Sequence, residues 1–159
     1  MSKHLALQAG AFTYPVRVYY QDTDAGGVVY HATYIHFLER ARIEWLRGLG
    51  YDLARLEREL GILFMVRALQ FDFLKPARLD DLLTITAQAV ELGRSRVAVS
   101  QHVLRRNVDT SDDVSDENEV MGHAVVNLVC VDSQTYRPVS IPDALRHLFV
   151  VPAVEKVLA

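Results

Sequence analysis

Between Tyr30 and Leu49 the apolar side chains fall three and four residues apart: Tyr34, Phe37, Leu38, Ala41, Trp45 and Leu49, with Ile35 and Leu46 widening the stripe. His36, Arg40, Glu44 and Arg47 take the other side, and Gly48 and Gly50 supply the stop. This spacing predicts one long helix. Its apolar arc covers roughly half the circumference, more than packing on one face requires, so the helix is expected to lie across a sheet that largely encloses it. Elsewhere the period is two. Tyr14 to Gln21 is a short run of β-formers closed by the polar DTDAGG segment. Ile62 to Leu74 stops short of Pro76, with Leu69, Phe71 and Phe73 alternating against Gln70 and Asp72. In Leu82 to Leu92, Leu83, Ile85, Ala87 and Ala89 alternate with Thr84, Thr86 and Gln88. Gly93 makes a tight turn into Arg96 to Arg105, and Val120 to Val131 reads as the last strand. Asp52 to Glu59 and Pro142 to Phe149 each suit a short helix.

The order β–α–β–β–β–β, with hairpin connections, is that of an α+β fold with an antiparallel sheet. Val97, Ala98 and Val99, and likewise Ala124, Val125 and Val126, place apolar side chains on both faces of their strands. One helix covers only one face of a sheet, so the second face points to subunit association.

With 159 residues, 50% hydrophobic and 23% charged, the chain is expected to fold as a single domain, its core running from about residue 14 to 142. A net charge of −3 offers no excess of cations to displace counterions from a polynucleotide. The charge is uneven: Asn107 to Glu119 holds six acids and no base, leaving a net +3 on the remainder. That balance suits a small anionic ligand, and the acidic stretch reads as a solvated loop without calcium-loop spacing. Cys130 is the sole cysteine, which excludes an intramolecular disulfide and a CxxC site. No apolar run is long enough to span a membrane, and a cytoplasmic location is expected.

The familiar catalytic signatures are missing. There is no G-x-S-x-G elbow, no P-loop, no G-x-G-x-x-G and no HExxH or other metal-ligand spacing among the six histidines. Cys130, amid apolar neighbours in a strand, reads as a packed thiol. What stands out is Asp22-Thr23-Asp24-Ala25-Gly26-Gly27-Val28-Val29-Tyr30-His31, which runs from a strand end into the helix start. Carboxylates beside a helix N-terminus, where backbone N–H groups lack acceptors, suit acyl transfer: one part activates the attack and the other holds the oxyanion. The same spacing also suits an aspartate that merely caps the helix behind a glycine turn. Spacing alone leaves both open.

The segment V-x-Y-x-D-T-D-A-G-G-V-V-Y-H-x-x-Y, continuing into F-L-E-R-A-R-x-E, resembles the hotdog-fold acyl-CoA thioesterases of the 4-hydroxybenzoyl-CoA thioesterase family. Within that family it is most similar to the bacterial subfamily encoded beside the Tol-Pal genes. Val66 to Asp81 and Val129 to Asp132 extend the likeness, which covers roughly Tyr14 to Pro142. The resemblance implies a five-stranded antiparallel sheet wrapped around a central helix, and a homotetramer assembled as a dimer of dimers. It also implies that Asp24 is the catalytic carboxylate, as nucleophile or general base, with the backbone N–H of His31 holding the thioester oxygen. Tyr30 and His31 would line the acyl pocket, while Arg94 and Arg96 would hold the nucleotide part of coenzyme A. Asp22 looks like a turn residue, Glu39 and Glu44 are reserve catalysts, and Arg42, lying inside the apolar arc, calls for snorkelling or an acidic partner. Coenzyme A is part of the substrate and no separate cofactor or metal is implied; acyl carrier protein is the other possible carrier. The competing readings are a hotdog dehydratase, whose histidine-containing motif is missing, and a non-catalytic acyl-binding or envelope-associated scaffold.

Overall fold

Helix α1 (His31–Gly48) buries Tyr34, Phe37, Leu38, Ala41, Arg42 and Leu46, the wide stripe expected from the sequence. Phe37 and Leu38 are fully buried, each contributing about 1.5–3 kcal/mol of hydrophobic stabilisation. The helix ends in a Schellman arrangement. Gly50, at φ +100°, donates its N–H to Arg47 O, and Tyr51 N–H reaches back to Leu46 O, both at 3.0 Å.

The computed structural model describes residues 4–5, 10–106 and 118–152. The strands are β1 (His4–Leu5), β2 (Phe12–Arg17), β3 (Ile62–Phe73), β4 (Leu82–Leu92), β5 (Arg96–Arg106) and β6 (Asn118–Asp132). Short helices α2 (Leu53–Arg55), continued by a π-turn to Leu60, and α3 (Asp143–Arg146) complete the elements. The five long strands form an antiparallel sheet in the order β3-β6-β5-β4-β2, and the two-residue β1 pairs with the start of β6. This is the α+β hotdog arrangement that the sequence predicts.

Leu83, Ile85, Ala87 and Ala89 of β4, Val97, Val99 and Val103 of β5, and Ala124, Val126 and Cys130 of β6 are buried in one cluster with the α1 stripe. A polar pin crosses this core. Arg42 Nη1 donates to Gln101 Oε1 at 3.0 Å, while Gln101 Nε2 donates to the carbonyls of Leu38 (3.1 Å) and Thr86 (3.2 Å). Snorkelling is therefore overturned, and the expected acid is not the direct partner: Glu39 acts on the Arg42 charge only through space. The helix is enclosed, so the guanidinium meets the sheet before it can reach water, and the group facing it is a neutral amide. Burial lowers the Arg42 pKa from its ordinary value.

Two boundaries differ from the sequence reading. β2 stops at Arg17, and Tyr20–Asp22 forms a 3₁₀ turn. Asp22 Oδ2 accepts the Tyr19 N–H at 2.8 Å, a local bond that takes the place of a ladder bond. β6 begins at Asn118, so Asn118 and Glu119 belong to a strand and not to the acidic loop. The rest of that loop, 107–117, lies outside the described residues. Among the described residues no helix is long and apolar enough to cross a membrane.

The Phe71 ring rests on the backbone of Gly122 across the β3–β6 pair. A Cβ at Gly122 would stand 2.5 Å from Phe71 Cζ, with Asp72 O at 3.1 Å. Gly122→Ala is therefore expected to destabilise the fold by about 1–3 kcal/mol through overpacking. Urea unfolding checks it, and an unchanged midpoint would mean that the ring moves aside freely.

Candidate active site

Between β2 and α1 the chain makes a small hairpin. Asp24 N–H donates to Val28 O and Gly27 N–H to Asp24 O, both at 3.0 Å, and Thr23 pairs with Val29. The Asp24 side chain closes the turn, Oδ1 accepting the Gly26 N–H at 2.8 Å. Gly27 sits at φ +77°, a conformation open to glycine. A Cβ at Gly26 would lie only 3.0 Å from that carboxylate oxygen. The two glycines are thus what let an aspartate fold onto its own loop while remaining exposed. Asp22 is different: it is buried, its carboxylate holds Tyr19 N–H, and its carbonyl accepts Tyr30 N–H at 2.9 Å. Neither aspartate caps α1. The N-cap residue is Tyr30, with no side-chain cap, so the amides opening the helix keep their positive end for another acceptor.

A second strap, the connection between β3 and β4, fixes this hairpin from below. Val29 N–H donates to Ala77 O at 2.9 Å and Val28 bridges to Arg78. Val18 N–H reaches Asp81 O and Asp80 N–H reaches Val18 O, both at 3.0 Å. Against the strap and the start of α1 opens a cleft of about 230 Å³ lined by Val29, His31, Tyr34, Phe73, Leu74, Lys75 and Pro76. His31 is thus brought to the cleft. The exposed Tyr30 ring lies 4.5 Å from the His31 ring, but Tyr30 and Asp24 are not among the lining side chains.

Arg94 and Arg96 are not brought to this place within one chain. Arg94 follows the β4 end farthest from the strap, its Nε donating to Ser140 Oγ at 2.7 Å, and Arg96 opens β5. The 11 residues of β4 lie between that turn and the strap, a span of about 35 Å. Glu39 is exposed, and Glu44 pairs with Arg47 at 3.4 Å on the helix surface. Cys130 is fully buried, and burial pushes its thiol up to about 11.

Sequence reasoning missed two features of the site. The Tyr34 hydroxyl, which neither the apolar stripe nor the quoted motif had given a role, accepts the Ala77 N–H at 3.0 Å, and burial holds its phenol above the ordinary range. A tyrosine on a core stripe needs a partner for its oxygen, which was the available signal. The second feature is an ion-pair chain. Lys75 in the cleft wall pairs with Glu119, Glu119 with Arg105, and Arg105 with Asp81 at 3.3 Å. No local pattern joins residues that far apart.

The thioesterase-like superfamily matches residues 18–149. "Acyl-CoA thioesterase YbgC" of Haemophilus influenzae is 38% identical over 138 residues, covering 87% of this chain and 93% of that protein. The protein of the same description in Helicobacter pylori is 33% identical, over 83% of this chain and 95% of its own length. A probable thioesterase from Bartonella henselae superposes with TM-score 0.72 at 30% identity, covering 84% of this chain and all of that one. A 4-hydroxybenzoyl-CoA thioesterase variant, solved with 4-hydroxybenzoyl-CoA, shares the fold at TM-score 0.78 and 20% identity, over 89% of this chain and all of that one. The chain belongs to the thioesterase-like superfamily.

Hydrogen bonding from Lys75 and Arg105 holds the Glu119 carboxyl below its ordinary 4.5. A carboxyl depressed in the folded state stabilises the fold above the unfolded pKa, and that contribution is lost as pH falls through the folded value. Thermal unfolding of the wild type is therefore expected to show a drop in Tm as pH falls below about 4.5. Glu119→Gln should flatten that drop. An identical acid profile in the variant would remove Glu119 from the account.

Proposed function

We propose that this chain is an acyl-CoA thioesterase in which Asp24 supplies the carboxylate and the amide at the start of α1 holds the thioester oxygen. The observation that carries the reading is the hairpin itself. It joins an exposed, backbone-held aspartate to an uncapped helix N-terminus, which opens on a partly apolar cleft, in a member of a thioesterase family.

The chemistry follows from these parts. The thioester carbonyl oxygen lies against the His31 N–H, where the helix's positive end stabilises the charge that develops on attack. Oδ1 of Asp24 is engaged by Gly26, and Oδ2 faces the reacting carbon or a water molecule. As nucleophile, the carboxylate forms a mixed anhydride and expels the coenzyme A thiolate; water then cleaves the anhydride. As general base, it takes a proton from water, whose oxygen adds to the carbonyl before the thiolate leaves. His31 and Tyr30 flank the acyl group as it enters the cleft.

Arg94 and Arg96 hold coenzyme A phosphates only if a neighbouring subunit brings its own β4–β5 turn to the cleft, since within one chain the strand length separates them. This requirement joins the two-faced strands in favouring a homotetramer.

Asp24→Asn keeps the size and the bond to Gly26 but removes both nucleophile and base. Hydrolysis is expected to fall by at least about 10²–10⁴-fold, with binding of a non-hydrolysable acyl-CoA nearly unchanged. Steady-state kinetics across short, long and aromatic acyl-CoAs, beside calorimetric titration with the analogue, measure both. A rate within about threefold of wild type would refute the assignment. Light scattering should give about four times the 18.0 kDa chain mass. Arg94→Ala should raise KM for acyl-CoA and leave KM for a truncated acyl thioester unchanged. A stable monomer, or equal effects on the two substrates, would overturn the shared site.

A further inference from the structure

We propose that the Tyr34 hydroxyl is a positioning group for the thioester chemistry, setting the first turn of α1 against the carboxylate hairpin through the peptide of Ala77. This rests on the thioesterase reading and adds to it a residue one turn away from the oxyanion amide. Ala77 is fully buried, and each of its backbone polar groups is taken by a different part of the site. Its N–H donates to Tyr34 Oη at 3.0 Å, and its carbonyl accepts Val29 N–H at 2.9 Å.

The chain from Val29 to Tyr34 and these two bonds close a ring, and the residues inside that ring are Tyr30 to Thr33. His31, whose amide is assigned to the oxyanion, is among them. The strap that carries Ala77 is itself anchored to the sheet, because Leu74 and Lys75 N–H both reach Met121 O at 3.0 Å. The position of the sheet is thus passed to the first turn of α1 through one phenolic oxygen, while Val29 and Val28 join the strap to the hairpin that precedes it. The rest of the side chain is held independently. Its ring centroid lies 5.5 Å from that of Phe71 and 5.6 Å from that of Phe73, and the ring also forms part of the cleft wall. Removing the oxygen alone therefore cuts the tether and leaves the wall.

That separation makes Tyr34→Phe the informative variant. A group that orients the amide acts on the transition state, whereas a wall contact acts on ground-state binding. Small misplacements of a reacting geometry cost up to about 100-fold in rate. The expected result is a kcat at least about tenfold lower with KM within about threefold of wild type. Amide exchange at Ala77 and Val29 should become at least about tenfold faster, since the Ala77 N–H loses its acceptor and the Val29 N–H, still bonded to Ala77 O, loses the ring that held that bond closed. Val126→Ala, a cavity in the core remote from the strap, is the stability control: it should lower Tm and leave kcat in place.

A kcat for Tyr34→Phe within twofold of wild type, a change in KM alone, or a kcat loss equalled by Val126→Ala at the same Tm would overturn the proposal. Wild type inactive on every acyl-CoA, with Asp24→Asn no different, would instead refute the thioesterase reading. Exchange then decides the tether by itself: faster exchange at Ala77 and Val29 in Tyr34→Phe upholds it, and unchanged exchange overturns it.

Discussion

Enclosure of α1 by the sheet is the constraint on which the rest of the molecule depends. A helix apolar over half its circumference cannot be satisfied by a flat surface. The sheet has to bend around it, and register shifts at Val66/Ala68, Ala89/Glu91 and Val103/Leu104 are where extra residues let it bend. Within this dry core, Gln101 satisfies the helix carbonyl of Leu38, the carbonyl of Thr86 and the guanidinium of Arg42 at once. Such a fully bonded polar pin fixes the rotation and height of the helix in a way that a set of interchangeable apolar contacts does not.

Fixing α1 in this way also fixes its N-terminus, which is where the chemistry is assigned. The helix supplies its amides without a side-chain cap, because Tyr30 occupies the capping position and the nearby aspartates are engaged elsewhere. The division between the two acids is physical. Asp22 is buried and spends its carboxylate on the backbone of the preceding turn, so it serves the fold. Asp24 sits on the exposed side of a glycine hairpin with one oxygen held, which is why the proposed chemistry is assigned to it. The strap between β3 and β4 locks this arrangement from beneath, and the Lys75–Glu119–Arg105–Asp81 chain ties the strap to β5 and β6. Partial burial makes these pairs less screened than isolated surface pairs, and their charges interlock, so the network holds the cleft wall better than the same pairs would singly.

Much of this was legible in the residues themselves. Helical and strand periods placed α1, β3, β4 and β5 within a residue or two, because side-chain patterning is local and tertiary packing only reinforced it. The glycine turn after the two aspartates was legible as well, since a glycine at positive φ is a short-range event, whereas the hairpin it closes and the Asp24 bond to Gly26 came with the structure. Where local bonds competed, the sequence misled: Asp22 turned the end of β2 into a 3₁₀ turn, and Glu119 extended β6 into what composition marked as loop.

What only the tertiary structure decided were meetings between distant residues. Arg42 with Gln101, Tyr34 with Ala77, and Lys75 with Glu119 are separated by dozens of positions, and no periodicity links them. The same holds for the separation of Arg94 and Arg96 from the cleft, which is set by the length of β4. By itself the sequence determined the main elements, the glycine turn and the family, because those follow from period, turn chemistry and a contiguous motif. The cleft and the bonds that hold it arise when a curved sheet carries residues from five strands onto one helix, and only that closure states which side chains face each other.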